Sequence, residues 1–464
     1  MAQQVVRRRG QQASTDATPA RMGVRISMRD FGPISEGTVY LKPLTIFVGP
    51  NNSGKSYAAM LVHSIIEAEN RTLPAPGPTG DAGNGLGMEI GKEIRECIRS
   101  GDGRAISGLV KKISRRIVRD AFKNNLREAI TGNFGADVGG LVRRGCRTAA
   151  VSANGGDAFS ASLSGDITIR RSPGQVSGHD RPGSGADLAA GARLRDYVVR
   201  AIIRENRIPG IPTGSFYLPT KRSGLLQGPN GMSSGADGDP RPAGAGPRDQ
   251  TGVGSDFVSS VGMLAGEQGP FYDLATEMEA EIMGGHVSME GGGDGLPPVI
   301  RYRAASSSLP LHRASSTVSE MAPLSLYLKH AAVPGSLLII EEPESSLHPA
   351  NRVRLAKYIV RMIRGGLNVL LTTHSSIIVD EIGTYMRASK ANQKTRKRLG
   401  FRAGDYLEFG EVAPYIFRGS EKSGYSTRRI RTNLVDGIPQ EEFVGVIRRL
   451  YNRSTMLENG FDEK

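Results

Sequence analysis

The sequence predicts an α/β fold in which a mixed, mostly parallel sheet is flanked by helices. Three stretches support this prediction. Leu44 to Val48 is an apolar strand that leads into a Gly-rich loop and then into apolar residues at helical spacing from Tyr57 to Glu69. Leu337 to Ile340 and Leu367 to Leu371 are short apolar runs typical of strands buried on both faces, and a helical pattern follows each. Buried strands that alternate with helices indicate such a sheet.

The elements before the first stretch are an arm and two strands. Residues 1–21 are polar and rich in arginine and show no hydrophobic periodicity, so we expect a disordered basic arm. Val24 to Met28 and Thr38 to Leu41 alternate apolar with polar residues on either side of a Gly-Pro turn, which predicts two strands. Residues 22–70 therefore form the first half of the predicted α/β domain.

Large insertions are predicted to separate the two halves of this domain. Residues 71–210 join a Gly- and Pro-rich stretch to a helical pattern from Glu89 to Ile130 and an alternating pattern over 147–171, which predicts an inserted helical and β region. Residues 211–299 start with a strand at Phe216 to Pro219 and continue as a Gly/Pro-rich insertion.

The second half of the domain is predicted at residues 300–390. Its helical patterns run from Ser319 to His330, from Pro349 to Arg364 and from Ser376 to Lys390. Proline is well tolerated at the first turn of a helix, which supports the start of the second one. Residues 391–464 are predicted to form a basic α/β tail with a hairpin and a final helix.

Composition narrows the class of protein. The chain has 464 residues, of which 38% are hydrophobic, enough for a sizeable core. Cys97 and Cys146 form no spacing pattern, which excludes a disulfide scaffold and a Cys-based zinc site and indicates a reducing compartment, by default the cytoplasm. No run approaches the roughly 20 apolar residues of a membrane span, and the N-terminus lacks the apolar core of a secretory signal. Transporters and secreted proteins are therefore disfavoured.

The chain is basic, with 60 Lys and Arg against 46 Asp and Glu and a net charge of +14. This charge favours polyanionic partners such as nucleic acid, although a solvated basic surface accounts for it equally well. The same two interpretations apply to a basic run in the C-terminal tail that consists of Lys390, Lys394, Arg396, Lys397, Arg398 and Arg402.

One motif carries specific chemistry, since the loop after Val48 fits the pattern G-x-x-x-x-G-K-S/T between a strand and a helix. Its residues are Gly49, Pro50, Asn51, Asn52, Ser53, Gly54, Lys55 and Ser56. The glycines allow successive backbone N–H groups to surround a phosphate at the N-terminus of the helix. Lys55 is expected to reach the β- and γ-phosphates, and Ser56 is expected to bind Mg²⁺. We therefore predict a nucleotide site.

Two carboxylates end the predicted strand at Leu337 to Ile340, at the sheet edge where the phosphates of a bound nucleotide would lie. Consecutive strand residues point to opposite faces, so Glu341 and Glu342 are expected to differ in role. Glu341 fits the Mg²⁺ shell, and Glu342 fits the position that polarises the attacking water. His374 follows the next strand and is expected to donate to the γ-phosphate, although a lone histidine is often structural. No metal site beyond that of Mg²⁺ is predicted.

Four motifs in order resemble the signatures of ABC-type ATPase heads in RecF-like and overcoming-lysogenization-defect (OLD)-like proteins. They are Gly-Pro-Asn-Asn-Ser-Gly-Lys-Ser, Ile-Ile-Glu-Glu-Pro-Glu, Ser-Ser-Leu-His-Pro and Thr-Thr-His-Ser. The resemblance implies a P-loop NTPase fold that uses ATP and Mg²⁺. It makes the first motif Walker A, Glu341 and Glu342 the Walker B acids, Ser345 to Pro349 the D-loop and His374 the switch histidine.

The resemblance also implies a signature segment that binds the nucleotide of a second copy. Arg313 to Glu320 lies at its position but lacks the usual glycines, and Ser315, Ser316 and Ser319 are the candidates for this contact. The strand near Phe216 would correspond to the family's Q-loop strand, followed here by the basic pair Lys221 and Arg222.

The C-terminal part departs from the OLD-like pattern. A Toprim nuclease domain would supply a Glu and an Asp-x-Asp pair, but the roughly 90 residues after His374 contain no Asp-x-Asp. The resemblance therefore implies an ATPase without its own nuclease, whose ATP-dependent homodimerisation gates DNA or a separate effector such as a nuclease or toxin in antiviral defence. An ATP-controlled DNA repair or recombination clamp is the alternative. The engine of a membrane transporter is the least favoured function.

Overall fold

The computed structural model describes residues 23–73, 118–154, 158–171, 202–203, 206–227, 252–264, 266–290, 299–305, 307–440 and 452–456. The predicted arm at 1–21, most of both Gly/Pro-rich stretches, the first part of the helical pattern after Glu89 and most of the final predicted helix lie outside these residues.

Within the described ranges, the strands are β1 (Arg25–Phe31), β2 (Ile34–Tyr40), β3 (Leu44–Val48), β4 (Ala149–Ala153), β5 (Phe159–Leu163), β6 (Ile167–Arg171), β7 (Ser215–Leu218), β8 (His286–Glu290), β9 (Val299–Ala304), β10 (Ser307–Pro310), β11 (Leu337–Glu341), β12 (Asn368–Thr372), β13 (Val412–Ser420) and β14 (Gly424–Arg429). The α-helices are α1 (Lys55–Thr72), α2 (Arg119–Phe134), α3 (Arg222–Gln227), α4 (Val253–Gly262), α5 (Tyr272–Met278), α6 (Ser316–His330), α7 (Pro349–Arg364), α8 (Ser376–Ala388) and α9 (Gln393–Arg398).

A large mixed sheet organises the described chain. Its strand order is β6-β5-β4-β1-β2-β14-β13-β3-β12-β11-β7, and a small antiparallel sheet has the order β10-β9-β8. The strands from β13 through β3, β12 and β11 to β7 are parallel, whereas those from β2 through β1 and β4 to β6 are antiparallel. The predicted α/β class is confirmed.

The parallel strands are covered on both faces. In β11, Leu338 and Ile340 join one apolar cluster with α6, α7 and α8, whereas Leu337 and Ile339 join a second cluster with α1. The same alternation places Leu370 of β12 on the α1 side. Because side chains alternate along a strand, such two-sided burial requires the continuous apolar runs seen in the sequence.

Two segments that were expected outside the α/β domain extend its sheet. β13 and β14, from the predicted C-terminal tail, lie between β3 and β2, and β4 to β6, from the first predicted insertion, continue the sheet beyond β1. β13 and the outer strands carry buried apolar residues that complete the cluster around α1, among them Phe417, Val151 and Phe159.

Candidate nucleotide-binding site

The Gly-rich loop joins β3 to α1, as predicted, and both of its glycines are required by geometry. Gly49 has φ 145° and Gly54 has φ 96°, values that side chains with a Cβ rarely adopt. A Cβ atom on Gly49 would lie 2.7 Å from the carbonyl oxygen of Phe417, and one on Gly54 would lie 2.7 Å from Cγ1 of Ile34. Packing against β13 and β2 thus holds the loop in shape.

Lys55 begins α1 with its amino group folded back onto the loop. Its Nζ donates to the carbonyl oxygens of Gly49 at 3.0 Å and Pro50 at 2.7 Å, and the residue is buried. Burial lowers the pKa of Lys55, while the carboxylates of Glu342, Glu341 and Glu344 oppose this shift. The ammonium group therefore lies in a carboxylate-rich site, where a phosphate could replace the two carbonyls as its partner.

The other loop residues divide by exposure. Pro50, Asn51 and Asn52 are exposed at the outer turn, and Ser56 is half-buried one residue into α1. Ser53 is buried, and its Oγ has no hydrogen-bond partner among the described residues. A buried polar atom without a partner is costly, so Ser53 fits a loop that closes around a ligand.

Glu341 ends β11 on the α1 side of the sheet and is held by the loop that follows β7. Its Oε2 accepts hydrogen bonds from the N–H of Thr220 at 3.2 Å and from its Oγ1 at 3.0 Å. Its Oε1 is buried and has no hydrogen-bond partner among the described residues. Burial and the charge of Glu341 raise the pKa of Tyr217 well above its usual value. Sequence analysis did not identify Thr220, which is distant in the chain.

Glu342 lies beyond the end of β11 in a left-handed conformation with φ 42°, and its side chain is 35% exposed. Its Oε1 is 3.7 Å from Nε2 of His374, which follows β12. Burial, followed by the nearby charge of Lys55, lowers the pKa of His374, so its imidazole is neutral near pH 7. The two residues predicted to act on the γ-phosphate side of the site are thus neighbours.

Glu344 ends the Ile-Ile-Glu-Glu-Pro-Glu motif, and the sequence alone assigns no role to it. Its Oε1 accepts hydrogen bonds from Oγ1 of Thr373 at 2.9 Å and from the N–H of His374 at 2.6 Å. Its other carboxylate oxygen is buried without a hydrogen-bond partner among the described residues. Glu344 therefore fixes the main chain that carries His374.

The three serines of the predicted signature segment occupy different positions at the start of α6. Ser315 is its N-cap and accepts from the N–H of Val318 at 3.4 Å, and both Ser315 and Ser316 are exposed. Ser319 is buried and donates to the carbonyl oxygen of Leu311 at 3.2 Å. Only the first two of these serines are exposed to another molecule.

The two residues of the basic pair after β7 differ in exposure. Lys221 is exposed, whereas Arg222 is fully buried. The guanidinium of Arg222 donates to the main-chain oxygen of Glu341 at 3.0 Å and to that of Glu320 at 2.8 Å, and it lies 3.2 Å from Oε2 of Glu320. Arg222 therefore connects the end of β11 to the first turns of α6, a contact that no local pattern indicates.

The residues present fit Mg²⁺ bound together with a nucleotide. Ser56 and Glu341 offer a hydroxyl and a carboxylate, and Oε1 of Glu341 has no partner among the described residues. Among all the residues that the structure describes, no group of three or more His, Cys, Asp or Glu side chains is arranged to hold a metal ion. Mg²⁺ commonly takes only one or two protein ligands and completes its shell with phosphates and water.

Comparison with known proteins finds a match to one family model. Residues 304–380, which contain Glu341, Glu342 and His374, match the model described as "AAA domain, putative AbiEii toxin, Type IV TA system". No curated protein matches the chain. None of the helices in the described ranges combines the length and apolar character that crossing a membrane requires.

The solved structures similar to this chain include heads of SMC proteins. An SMC head bound to the C-terminal winged-helix domain of ScpA is 9% identical with TM-score 0.41, covering 89% of this chain and 98% of its own. The SMC head domain of Thermotoga maritima is 10% identical with TM-score 0.36, covering 89% and 100%. An SMC head of Pyrococcus furiosus with an extended coiled coil, bound to the C-terminal domain of ScpA, is 8% identical with TM-score 0.38, covering 93% and 100%.

Proposed function

We propose that this chain is an ABC-type ATPase that binds and hydrolyses Mg-ATP, and that ATP-dependent pairing of two copies gates a DNA-directed or defence partner in the cytoplasm. One observation supports the ATPase most directly. The loop with the folded-back Lys55 lies at the same sheet edge as Glu341, Glu342 and His374, because β3, β12 and β11 are adjacent and parallel. Ligands of open α/β sheets bind at this edge.

In this proposal, the loop N–H groups and Lys55 bind the phosphates, and Ser56 and Glu341 hold Mg²⁺. The bound ion supplies positive charge to the phosphate oxygens. Glu342 accepts a proton from the attacking water and orients it, which its partial exposure allows. His374, neutral near pH 7, donates from its ring to the γ-phosphate, and Glu344 holds its main chain in position.

The pairing of two copies is supported by the exposed start of α6. Ser315 and Ser316 precede and begin a helix of 15 residues, whose first N–H groups favour an anion. Thr317 donates to the carbonyl oxygen of Ser346 at 3.0 Å, which connects this end of α6 to the segment expected to be the D-loop. In the proposed homodimer, the α6 start of one copy covers the nucleotide of the other.

The partner is proposed on two grounds. The description of the matching family model includes a putative toxin of a type IV toxin–antitoxin system, which supports the defence role. The net charge of +14 supports DNA as a direct partner, either in that role or in a repair clamp, the alternative function.

Phosphate release from ATP by the purified chain, with and without Mg²⁺, tests the ATPase. We expect Mg²⁺-dependent turnover that Lys55→Ala abolishes by weakening ATP binding, whereas Lys394→Ala, at an exposed lysine of α9, should behave as wild type. Equal turnover by Lys55→Ala and wild type would contradict the proposal, as would wild-type protein that neither binds nor hydrolyses ATP.

A further inference from the structure

The antiparallel half of the sheet has one covered face and one open face. Ile26 and Met28 of β1 and Val151 of β4 point toward α1 and α2 and are buried. The alternate side chains, Arg25, Ser27 and Arg29 in β1 and Ala150 and Ser152 in β4, point away from these helices and are exposed or half-buried. This open surface spans five strands, roughly 19 Å at the usual strand spacing.

Strand register arranges the side chains of this open surface in two rows. One row crosses β2, β1, β4, β5 and β6 through Glu36, Arg29, Ala150, Ser162 and Thr168. The next crosses the same strands through Thr38, Ser27, Ser152, Ser160 and Arg170. Together with the next pair in the register, Arg25 and Tyr40, we call these side chains the outer face.

The charge of the outer face is positive. Arg25, Arg29 and Arg170 are exposed, and Glu36 is the single acidic residue among the side chains that define this face in the described chain. The hydroxyls between the arginines are short hydrogen-bond donors of the kind that contact phosphate oxygens. Thr38 and Ser27 already face each other, with 3.0 Å between their hydroxyl oxygens.

The scarcity of aromatic rings on the outer face favours a duplex over a single strand. Base stacking on aromatic rings is the usual device of single-strand binding. The face has Tyr40 as its aromatic residue within the described chain, and Nζ of Lys42 lies 4.8 Å from the centre of that ring. Arginines and hydroxyls without a stacking platform instead fit contact with a continuous phosphate backbone.

The neighbouring chain segments do not supply the missing negative charge. Residues 1–22, which precede β1, contain four arginines and one aspartate, and residues 172–201, which follow β6, contain four arginines and three aspartates. Both segments are net positive, so neither complements the charge of the outer face.

The basic run of the C-terminal tail is a weaker candidate because several of its cations have partners. Nζ of Lys390 is 2.9 Å from Glu408, Arg402 is 2.6 Å from Glu277, and Arg396 lies 5.0 Å from the ring centre of Tyr406. These contacts hold the run against the protein. Lys394, Lys397 and Arg398 are exposed on α9 and provide a matched comparison.

We infer that the outer face binds the phosphate backbone of duplex nucleic acid. This inference rests on the proposed function in taking DNA as a partner, and it assigns the contact to the sheet rather than to the basic run. Binding should be sequence-tolerant and strongly dependent on salt, because it comes mainly from phosphate contacts.

The test compares two triple variants that lose equal charge, Arg25→Gln/Arg29→Gln/Arg170→Gln on the outer face and Lys394→Gln/Lys397→Gln/Arg398→Gln on α9. Anisotropy of a labelled DNA duplex between about 50 and 200 mM salt gives the slope of log affinity against log salt. We expect the first variant to reduce this slope by about three units and the second to leave it unchanged. Single changes at Arg25, Arg29 and Arg170, each worth about one unit, replace the triple variant if it fails to fold.

If the slope falls only in the α9 variant, the outer face is not the binding surface, although DNA remains a partner. Tighter binding to phosphatidylserine vesicles than to duplex would overturn it in favour of a membrane surface. If wild-type protein does not bind the duplex at the lowest salt, both the inference about the outer face and the proposal of DNA as a partner are wrong. Phosphate release from ATP, measured on the same samples, keeps the ATPase proposal separate from each outcome.

Discussion

At the scale of single residues, three carboxylates within four positions have three different environments. Glu341 is buried and bonded to Thr220, Glu342 is half-exposed beside His374, and Glu344 accepts from the N–H of His374. The backbone explains why these environments differ, because β11 ends at Glu341 and Glu342 adopts a left-handed conformation. Adjacent identical side chains thus acquire distinct chemistry from the backbone that carries them.

The first prediction concerns Glu342→Gln. An amide cannot accept the proton of the attacking water, so turnover should fall by about 10²- to 10⁴-fold while ATP binding is retained. Fluorescent-nucleotide binding and phosphate release, measured on one preparation, check both parts. Glu267→Gln, at an exposed position beside the last residue of α6, serves as the control. Wild-type turnover in the Glu342 variant would show that another group activates the water.

The second prediction concerns pH and His374. Burial lowers the pKa of its imidazole in the folded protein, so the unfolded chain binds a proton at a higher pH than the folded chain does. Folding stability contributed by this residue is therefore present above its unfolded pKa, near 6.5, and is lost as pH falls. Urea midpoints at pH 7 and pH 5.5 should differ less in His374→Gln than in wild type. An equal difference in the two proteins would contradict this account.

At the scale of elements, the fold brings together ends of strands and helices that are remote in sequence. Arg222, at the start of α3, contacts Glu320 of α6 across 98 positions and Glu341 of β11 across 119 positions. Because Arg222 is fully buried, its charge requires these partners. The guanidinium of Arg222 thereby links the first turns of α6 to the end of β11.

The third prediction tests the buried ion pair between Arg222 and Glu320. Arg222→Met leaves the carboxylate of Glu320 buried without its cation and should destabilise the fold by roughly 3–5 kcal/mol. Thermal unfolding followed by circular dichroism measures the loss. The double variant Arg222→Met/Glu320→Gln, which removes both charges, should recover part of it. A single variant as stable as wild type would mean that Glu320 finds another partner.

Local sequence patterns were enough to predict the elements that carry the candidate nucleotide site. The helix predicted from Pro349 to Arg364 has those bounds, and α6 begins three residues earlier than the periodicity indicated because Ser315 caps it. The loop at 49–56 and the carboxylates after β11 were identified by their spacing from apolar strands. Thr220 and Arg222 could not be assigned in this way, since their partners are set by which strands become neighbours.

At the scale of the whole molecule, the sheet is larger than the apolar runs indicated. Outer strands such as β5 and β6 contain serine, threonine and arginine on one face and bury only alternate residues. Such strands give a weak sequence signal, and their place in the sheet follows from pairing with distant partners. Sequence analysis therefore placed β1, β2, β3, β11 and β12 in one domain and left the pairing of β13, β14 and β4 to β6 with them undetermined.

The fourth prediction concerns pairing of two copies. In Glu342→Gln, bound ATP should persist and stabilise the dimer by mass action, so light scattering should show twice the monomer mass with Mg-ATP and the monomer mass without it. Adding Ser315→Arg, a bulky charge at the exposed start of α6, should prevent pairing without preventing ATP binding. A monomer at saturating ATP would contradict the proposed homodimer, and a nucleotide-independent dimer would assign pairing to another surface.

The position of β13 has a consequence for synthesis. β3 precedes the loop of the candidate nucleotide site and lies between β12 and β13 in the sheet. β12 begins only at Asn368, and β13 begins at Val412. A ribosome therefore makes the loop long before either neighbouring strand exists, and Leu44 to Val48 must wait as an unpaired apolar segment. Contacts of such sequence separation slow folding and expose strand edges to aggregation. We expect the nascent chain to depend on chaperones until residues beyond 420 have left the ribosome, and ATP to act as a folding ligand only after that point.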